Sequence, residues 1–448
     1  MNLTSALCDA RVDAGIESDI ENGIDSRVDG GHAARAVHPA QPGASEDPAG
    51  AGGERAGTGP AASLRPALTA FEIGMHWFPE RAGGLDRVYH TLAGALPAAG
   101  VSVRGMVAGS TAAASDTRGA IAAFAPPATS MPLRLMRARR TLRRMLSREQ
   151  PDVVASHFAL YTLPGLDLIR DYPTVMHFHG PWAAENTAEG VSDVASRMQQ
   201  RIEEIVYRRC QLHIVLSQAF AHILQTRYRV DPERIRIVPG CVDAARFGAE
   251  MERRTARQAL GLPTDRPIVL TIRRLVRRMG LEDLIDAVVK LRERVPDVLV
   301  LVVGRGTLEH ELRERIDELG LQGYVRLLGA LPDVQLPLAY RAADLSVVPT
   351  VQLEGFGLTT VESLAAGTPV LVTPVGGLPE AVRGLSPDLV LPATGADMLA
   401  QGMADALRGT QRLPDAQACR AYARAHFDIP VIARKVAEVY REAVNRVD

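Results

Sequence analysis

The sequence predicts an α/β protein built on two parallel sheets, one in each half of the chain, behind a low-complexity tail. Three observations predict it. Short, almost wholly apolar runs alternate with amphipathic stretches from residue 67 onward, as βαβ units require. The alternation breaks near 243–264 and then starts again. The first 66 residues contain no Phe, Trp or Tyr, the earliest aromatic residue of those types being Phe71.

The elements follow in order. Residues 1–66 are rich in Gly, Ala, Pro, Asp and Glu, and such a segment buries too little apolar area to offset its chain entropy, so disorder is expected there. LTAFEIGM (68–75) is a buried strand, and Gly83-Gly84 turns the chain into a helix carrying Arg87. VSVRGMVA is the next strand. PLRLMRARRTLRRMLSRE (132–149) is a basic helix. DVVASHF and TVMHFHG are strands that end in His157, His177 and His179. SRMQQRIEEIVYRRC is a helix, LHIVLS a strand, AFAHILQTRY a helix and RIRIVPG a strand.

In the second half PIVLTI and VLVLVVG have the apolar continuity of strands buried on both faces. Helices at 281–295 and 307–320, the latter ending in a glycine cap, flank VLVLVVG on either side. YVRLLG, LSVVPT and PVLVT are further strands, with LPLAYRAA, TTVESLAAG and ADMLAQGMADALRG as helices. The last helix covers about 430–444. Two open parallel sheets bind ligands beyond the carboxyl ends of their strands, so the loops there should build the site.

Composition excludes several classes. Basic and acidic residues number 51 and 52, so global charge gives no reason to expect nucleic acid. Cys8, Cys210, Cys241 and Cys419 are scattered, which is neither a zinc-finger spacing nor a disulfide framework and fits a reducing cytoplasm. No signal peptide and no membrane-spanning run is visible.

The densest chemical signal is Glu354-Gly355-Phe356-Gly357-Leu358-Thr359-Thr360-Val361-Glu362, followed by Gly367-Thr-Pro-Val and Gly376-Gly-Leu-Pro-Glu380. The glycines let backbone approach a ligand closely. A helix opening at Thr359 or Thr360 would aim free amides and the positive end of its dipole at an anion such as a diphosphate. Glu354 and Glu362 would then accept hydrogen bonds from hydroxyls on either side. Thr359-x-x-Glu362 also reads as a capping box, in which Glu362 merely bonds back to the cap.

On these residues the chain resembles glycosyltransferase family 4, whose members have the GT-B fold of two Rossmann-like domains facing a cleft. The resemblance covers about 68–445. It implies an acceptor domain over 67–245, a nucleotide-sugar domain over 246–428, and a final helix within 429–448 that packs back on the first domain. Glu354 would hold the donor sugar, amides of Gly355, Phe356, Gly357 and Leu358 the sugar and distal phosphate, and Glu362 the ribose. Gly83 and Gly84 would approach the donor phosphate. The family neutralises the diphosphate with an Arg and a Lys in RLxxxKG; Arg274 matches the Arg, Met279 stands where the Lys is expected, and Arg278 is the nearest replacement. Ser217 matches the family's serine after the strand LHIVL, and Asp243 a turn into the linker. His179 matches the family's histidine best, with His177 second, and strand geometry points both side chains the same way.

The resemblance implies a retaining transferase that uses no metal and no cofactor beyond its co-substrate, a nucleoside diphosphate sugar. The acceptor would be a saccharide or lipid-linked saccharide in envelope or exopolysaccharide synthesis. Seven arginines of the basic helix, Arg134, Arg137, Arg139, Arg140, Arg143, Arg144 and Arg148, would suit peripheral contact with an anionic membrane at its inner face; the competing reading is a surface helix with one packed face. Rival functions are a GT-B nucleotide-sugar epimerase and a non-catalytic nucleotide-sugar binding protein. A dinucleotide-dependent oxidoreductase needs GxGxxG, which Gly304-Arg-Gly306 does not supply.

Overall fold

The computed structural model describes residues 68–81, 83–188 and 193–446; the tail assigned to 1–66 lies outside the described residues. The first sheet contains β1 (Leu68–His76), β2 (Val101–Ala108), β3 (Ile121–Ala125), β4 (Val153–Ser156), β5 (Thr174–Phe178), β6 (Leu212–Val215) and β7 (Ile235–Ile237). Their order is β3-β2-β1-β4-β5-β6-β7, and every pairing is parallel. The second sheet contains β8 (Ile268–Ile272), β9 (Leu299–Val303), β10 (Val325–Gly329), β11 (Leu345–Val348) and β12 (Val370–Val372), in the order β10-β9-β8-β11-β12 and again all parallel. These are two Rossmann-like domains of the GT-B type.

Strand order reverses between β1 and β4 in one sheet and between β8 and β11 in the other. At a reversal the crossover helices diverge to opposite faces and leave a crevice at the carboxyl ends of the strands. Every residue of β4, β9 and β11 is buried, because helices cover both faces.

One strand was not legible in the sequence. Ile121–Ala125 reads IAAFA, and alanine is a weak strand former; the segment is held at the sheet edge by pairing with β2. The basic helix, Met131–Glu149, has one packed face formed by Ala138, Leu142, Met145 and Leu146. Arg134 is not on its outer face: it is buried, bonded to Tyr161 at 3.1 Å and to carbonyls at its own helix start. Arg139 pairs with Asp167. The outward residues are Arg137, Arg140, Arg143, Arg144 and Arg148, beside exposed Leu133 and Met136. Among the described residues no helix is long and apolar enough to cross a membrane.

The last helix, Ile429–Asn445, crosses back to the first domain. Ile432, Val436, Ala437 and Tyr440 share a core with Ala70, Val101, Val153, Val175 and Leu212. Arg236 pairs with Glu442 on its flank. The two chain segments that cross between domains run side by side: Val242 N donates to Phe427 O at 2.8 Å, and Ile429 N to Val242 O at 3.1 Å.

Candidate active site

The second domain's wall of the cleft is built at the ends of β8 and β11. Beyond β8 the chain continues one residue in strand register, Arg273 N donating to Val303 O at 2.9 Å. Side chains alternate across a strand, and Arg273 turns inward while Arg274 is exposed. Arg273 is 8% exposed, and its guanidinium forms an ion pair with Glu354. It also donates to Thr350 Oγ1 at 2.7 Å and Thr359 Oγ1 at 3.3 Å. Burial pushes the Glu354 carboxyl up, but Arg273, Arg278 and the Phe356 amide outweigh it and hold the group below its usual range.

Beyond Glu354 the backbone is unusual. Leu353 sits at φ 52 and Gly357 at φ 75. A Cβ on Gly376 would lie 1.9 Å from Glu354 O, so only glycine lets the two loops meet. Gly357 caps the helix Leu358–Ala365, which begins one residue earlier than the threonines suggest. Glu362 therefore lies in the second turn and makes no capping box: it accepts a 2.9 Å bond from Tyr340 Oη. Burial raises the Glu362 carboxyl, opposed mainly by Arg87 of the first domain. Phe356 has its side chain in the core against Phe427, leaving only its backbone for a ligand.

The first domain's wall is built at the ends of β1, β4 and β5. Gly83 caps the helix Gly84–Ala95, and a Cβ there would lie 2.7 Å from Asp86 Oδ2. Asp86 in turn accepts His76 N at 2.9 Å. The structure separates the two histidines of β5. His177 is buried, bonded through Nε2 to Tyr440 Oη at 2.7 Å and stacked on His157 at 4.0 Å. A group so enclosed orients its neighbours and does not itself reach a ligand in the cleft. His179, just past the strand end and partly exposed, bonds His157 at 3.0 Å. Ser217 accepts Phe220 N as the cap of its helix, and Asp243 caps Ala244–Phe247 by accepting Arg246 N.

The walls touch. Arg87 meets Asp333 at 2.6 Å, and Arg278 meets Glu185 at 3.3 Å. Glu380 accepts the amides of Gln218 and Ala219 at 2.7 and 3.0 Å, opposite the start of the helix Gln218–Tyr228. A Cβ on Gly355 would strike Phe220, and one on Gly377 would strike Ser217, so glycine on one wall admits the bulk of the other.

Residues 82–246 match the description Glycosyltransferase Family 4, and residues 252–426 match Glycosyl transferases group 1. A D-inositol 3-phosphate glycosyltransferase of Corynebacterium glutamicum is 31% identical over 309 residues, covering 65% of this chain and 72% of that protein. The chain belongs to the group 1 glycosyltransferases. Solved structures agree in fold: the sucrose-phosphate synthase of Thermosynechococcus elongatus has a TM-score of 0.67 at 21% identity, over 85% of this chain and 100% of that one. Anabaena HepE, solved in complex with UDP and glucose, has a TM-score of 0.67 at 20% identity, over 84% of this chain and 100% of that one.

In this glycosyltransferase the loop after β8 departs from the RLxxxKG pattern at Met279. Met279, in the lysine position, is 5% exposed and belongs to the second domain's core. Arg273 Nη2 lies 2.9 Å from its sulfur, so the buried guanidinium fills the space beside that position. Arg278, one residue before Met279, is also buried and donates to Leu353 O at 2.9 Å. Sequence reasoning passed over Arg273 because the motif begins one residue later; the strand alternation that turns it inward was the signal. It also gave Glu380 and Glu185 no role, since both act across the cleft.

Proposed function

We propose that this glycosyltransferase moves a sugar, with retention of configuration and without a metal, from a nucleoside diphosphate donor to a saccharide or lipid-linked acceptor. The observation that carries the reading is the buried Arg273–Glu354 pair beside the Gly357 helix start, at the reversal of strand order. When the bond between the anomeric carbon and the phosphate oxygen breaks, negative charge develops on the leaving diphosphate. Arg273, Arg278 and the helix start supply fixed positive charge where it forms, with no reorganisation at the moment of reaction. Glu354 takes hydroxyls of the donor sugar, Glu362 those of the ribose, and the backbone of Gly83, Gly84, Gly355 and Leu358 admits the phosphates. Arg274, exposed at the same loop, extends the positive edge. His179 contacts the donor or acceptor sugar from the opposite wall, and His177 positions it through His157. The acceptor oxygen attacks the face the phosphate leaves, and its proton passes to the departing phosphate.

The name of the Corynebacterium glutamicum relative supports a phosphorylated polyol as one such acceptor. Exposed arginines beside Leu133 and Met136 support a peripheral enzyme at the cytoplasmic face of a membrane, acting in envelope or exopolysaccharide synthesis. The test is a thermal shift with UDP-, GDP- and ADP-sugars, comparing the protein with its Glu362→Ala variant. A ligand that binds only the folded form raises its melting temperature. One donor should do so and lose the effect in the variant, and the product anomer formed from that donor reports retention. Silence from every donor would sink the reading.

A further inference from the structure

Behind His179 runs a chain of buried polar groups drawn from four separate elements. Glu72 of β1 is fully buried, with Tyr440 Oη donating to its Oε1 at 2.9 Å. Its other oxygen, Oε2, has no hydrogen-bond partner, nor has His157 Nε2, and these two orphans face each other at 3.7 Å. Through its second nitrogen His157 Nδ1 meets His179 Nε2 at 3.0 Å. Two unpaired polar atoms facing each other in a buried site are costly; at 3.7 Å they lie past hydrogen-bond reach, and a proton passes between them when the pair closes to about 3 Å.

The hydrogen positions follow from the contacts. The single proton of Tyr440 goes to Glu72, so His177 must donate its Nε2 proton to Tyr440. With Glu72 charged, His157 carries its proton on Nε2, toward the carboxylate. His157 Nδ1 is then an acceptor, His179 Nε2 must donate, and His179 Nδ1 presents a lone pair. With Glu72 protonated on Oε2 the line from Glu72 through His157 to His179 reverses, while the Tyr440 and His177 bonds stay as they are: His157 Nδ1 donates, His179 Nε2 accepts, and His179 Nδ1 carries a proton.

We propose that Glu72, His157 and His179 form a proton relay that switches the free nitrogen of His179 between hydrogen-bond acceptor and donor. One proton arriving at His179 Nδ1 sends the Nε2 proton of His179 to His157 Nδ1, and the Nε2 proton of His157 to Glu72 Oε2. Both imidazoles begin and end neutral, and the carboxyl stores the proton. Burial favours this division: it holds His157 and His177 well below the usual imidazole value and His179 at about 4, while it lifts Glu72 to about 7. The other groups facing the relay are Tyr89 and Asp86 of the helix Gly84–Ala95, His177 of β5 and Tyr440 of the last helix. Asp86 pulls His179 upward, without reversing the effect of burial. His157 and Glu72 are thus positioning residues, and only the nature of the group met by His179 rests on the transferase reading.

The test is nitrogen NMR of the unliganded full chain labelled in histidine, with the His179 resonances assigned by a His179→Gln variant. Its outcome does not depend on any donor sugar. His179 should be the Nδ1–H tautomer below about pH 7 and the Nε2–H tautomer above it. Glu72→Gln, which neither takes up nor releases a proton, should hold His179 in a single tautomer at every pH. Tyr440→Phe removes a donor that stabilises the charged carboxylate and should move the midpoint upward. A His179 tautomer that does not change with pH, a switch that survives Glu72→Gln, or an unmoved midpoint in Tyr440→Phe would overturn the relay.

Discussion

The carboxylate of Glu380 reaches across the cleft to the amide of Gln218 at 2.7 Å. An acidic group at a helix start is stabilised by the free amides and the dipole, and here that helix belongs to the other domain. The bond exists only while the walls are together, so it biases closure. Glu380→Ala should leave the fold intact and weaken donor capture roughly two- to fivefold, from the usual strength of such a charge at a helix end. Donor titration followed by intrinsic fluorescence or calorimetry measures it; unchanged affinity would remove Glu380 from closure.

Arg273 and Glu354 are a buried ion pair, and removing one partner strands the other. Arg273→Ala should cost about 3–5 kcal/mol of stability and abolish transfer. Adding the family's lysine in the double variant Arg273→Ala with Met279→Lys should restore part of both, since the two side chains occupy adjoining space. Urea unfolding and initial rates on the single and double variants test this. Additive losses would mean the two positions are not interchangeable.

Gly357 holds φ 75 at the start of the helix Leu358–Ala365, and a Cβ there would lie 2.5 Å from Leu378 Cδ2. Gly357→Ala should cost about 1–2 kcal/mol in backbone strain alone and misplace the amides proposed to meet the phosphate. The expected signature is a lowered melting temperature together with loss of the stabilisation that the donor confers. Stability lost with donor binding intact would argue against the phosphate role.

Glu203 is fully buried and accepts bonds from Trp182 N at 2.9 Å, Tyr207 Oη at 3.1 Å and Tyr228 Oη at 2.7 Å. Burial outweighs these bonds and lifts its carboxyl from 4.5 to about 7. The folded form then holds a proton that the unfolded form has released, so the group's stabilisation is complete below pH 4.5 and is lost as pH rises to about 7. Glu203→Gln cannot titrate, and its unfolding free energy should fall less over that window than the parent's. Equal slopes for both proteins would show that Glu203 is ionised throughout.

Much of this architecture was legible because its signals are local. The apolar runs of β8, β9 and β11 lie within a few residues, and EGFGLTTVE carries its glycines and both carboxylates in one stretch. What escaped was set by distance or by context. Glu72 and Tyr440 are 368 residues apart, and no periodicity joins them. Glu380 closes the Gly376-Gly-Leu-Pro-Glu380 motif, yet its partners lie on the opposite wall, far away in sequence. Met279 read as a missing charge, and only the fold brings the Arg273 guanidinium against it from the neighbouring strand end.

The helix Ile429–Asn445 has a consequence for biosynthesis. Domains usually fold as units in the order in which the ribosome makes them. Here the first domain's core lacks Ile432, Val436 and Tyr440 until the entire second domain has been translated. Until then Glu72 is without the hydroxyl that satisfies it, and an apolar face of the first sheet lies open. The first domain made is therefore the last completed, and a chain interrupted late in translation would carry a finished second domain on an unfinished first one.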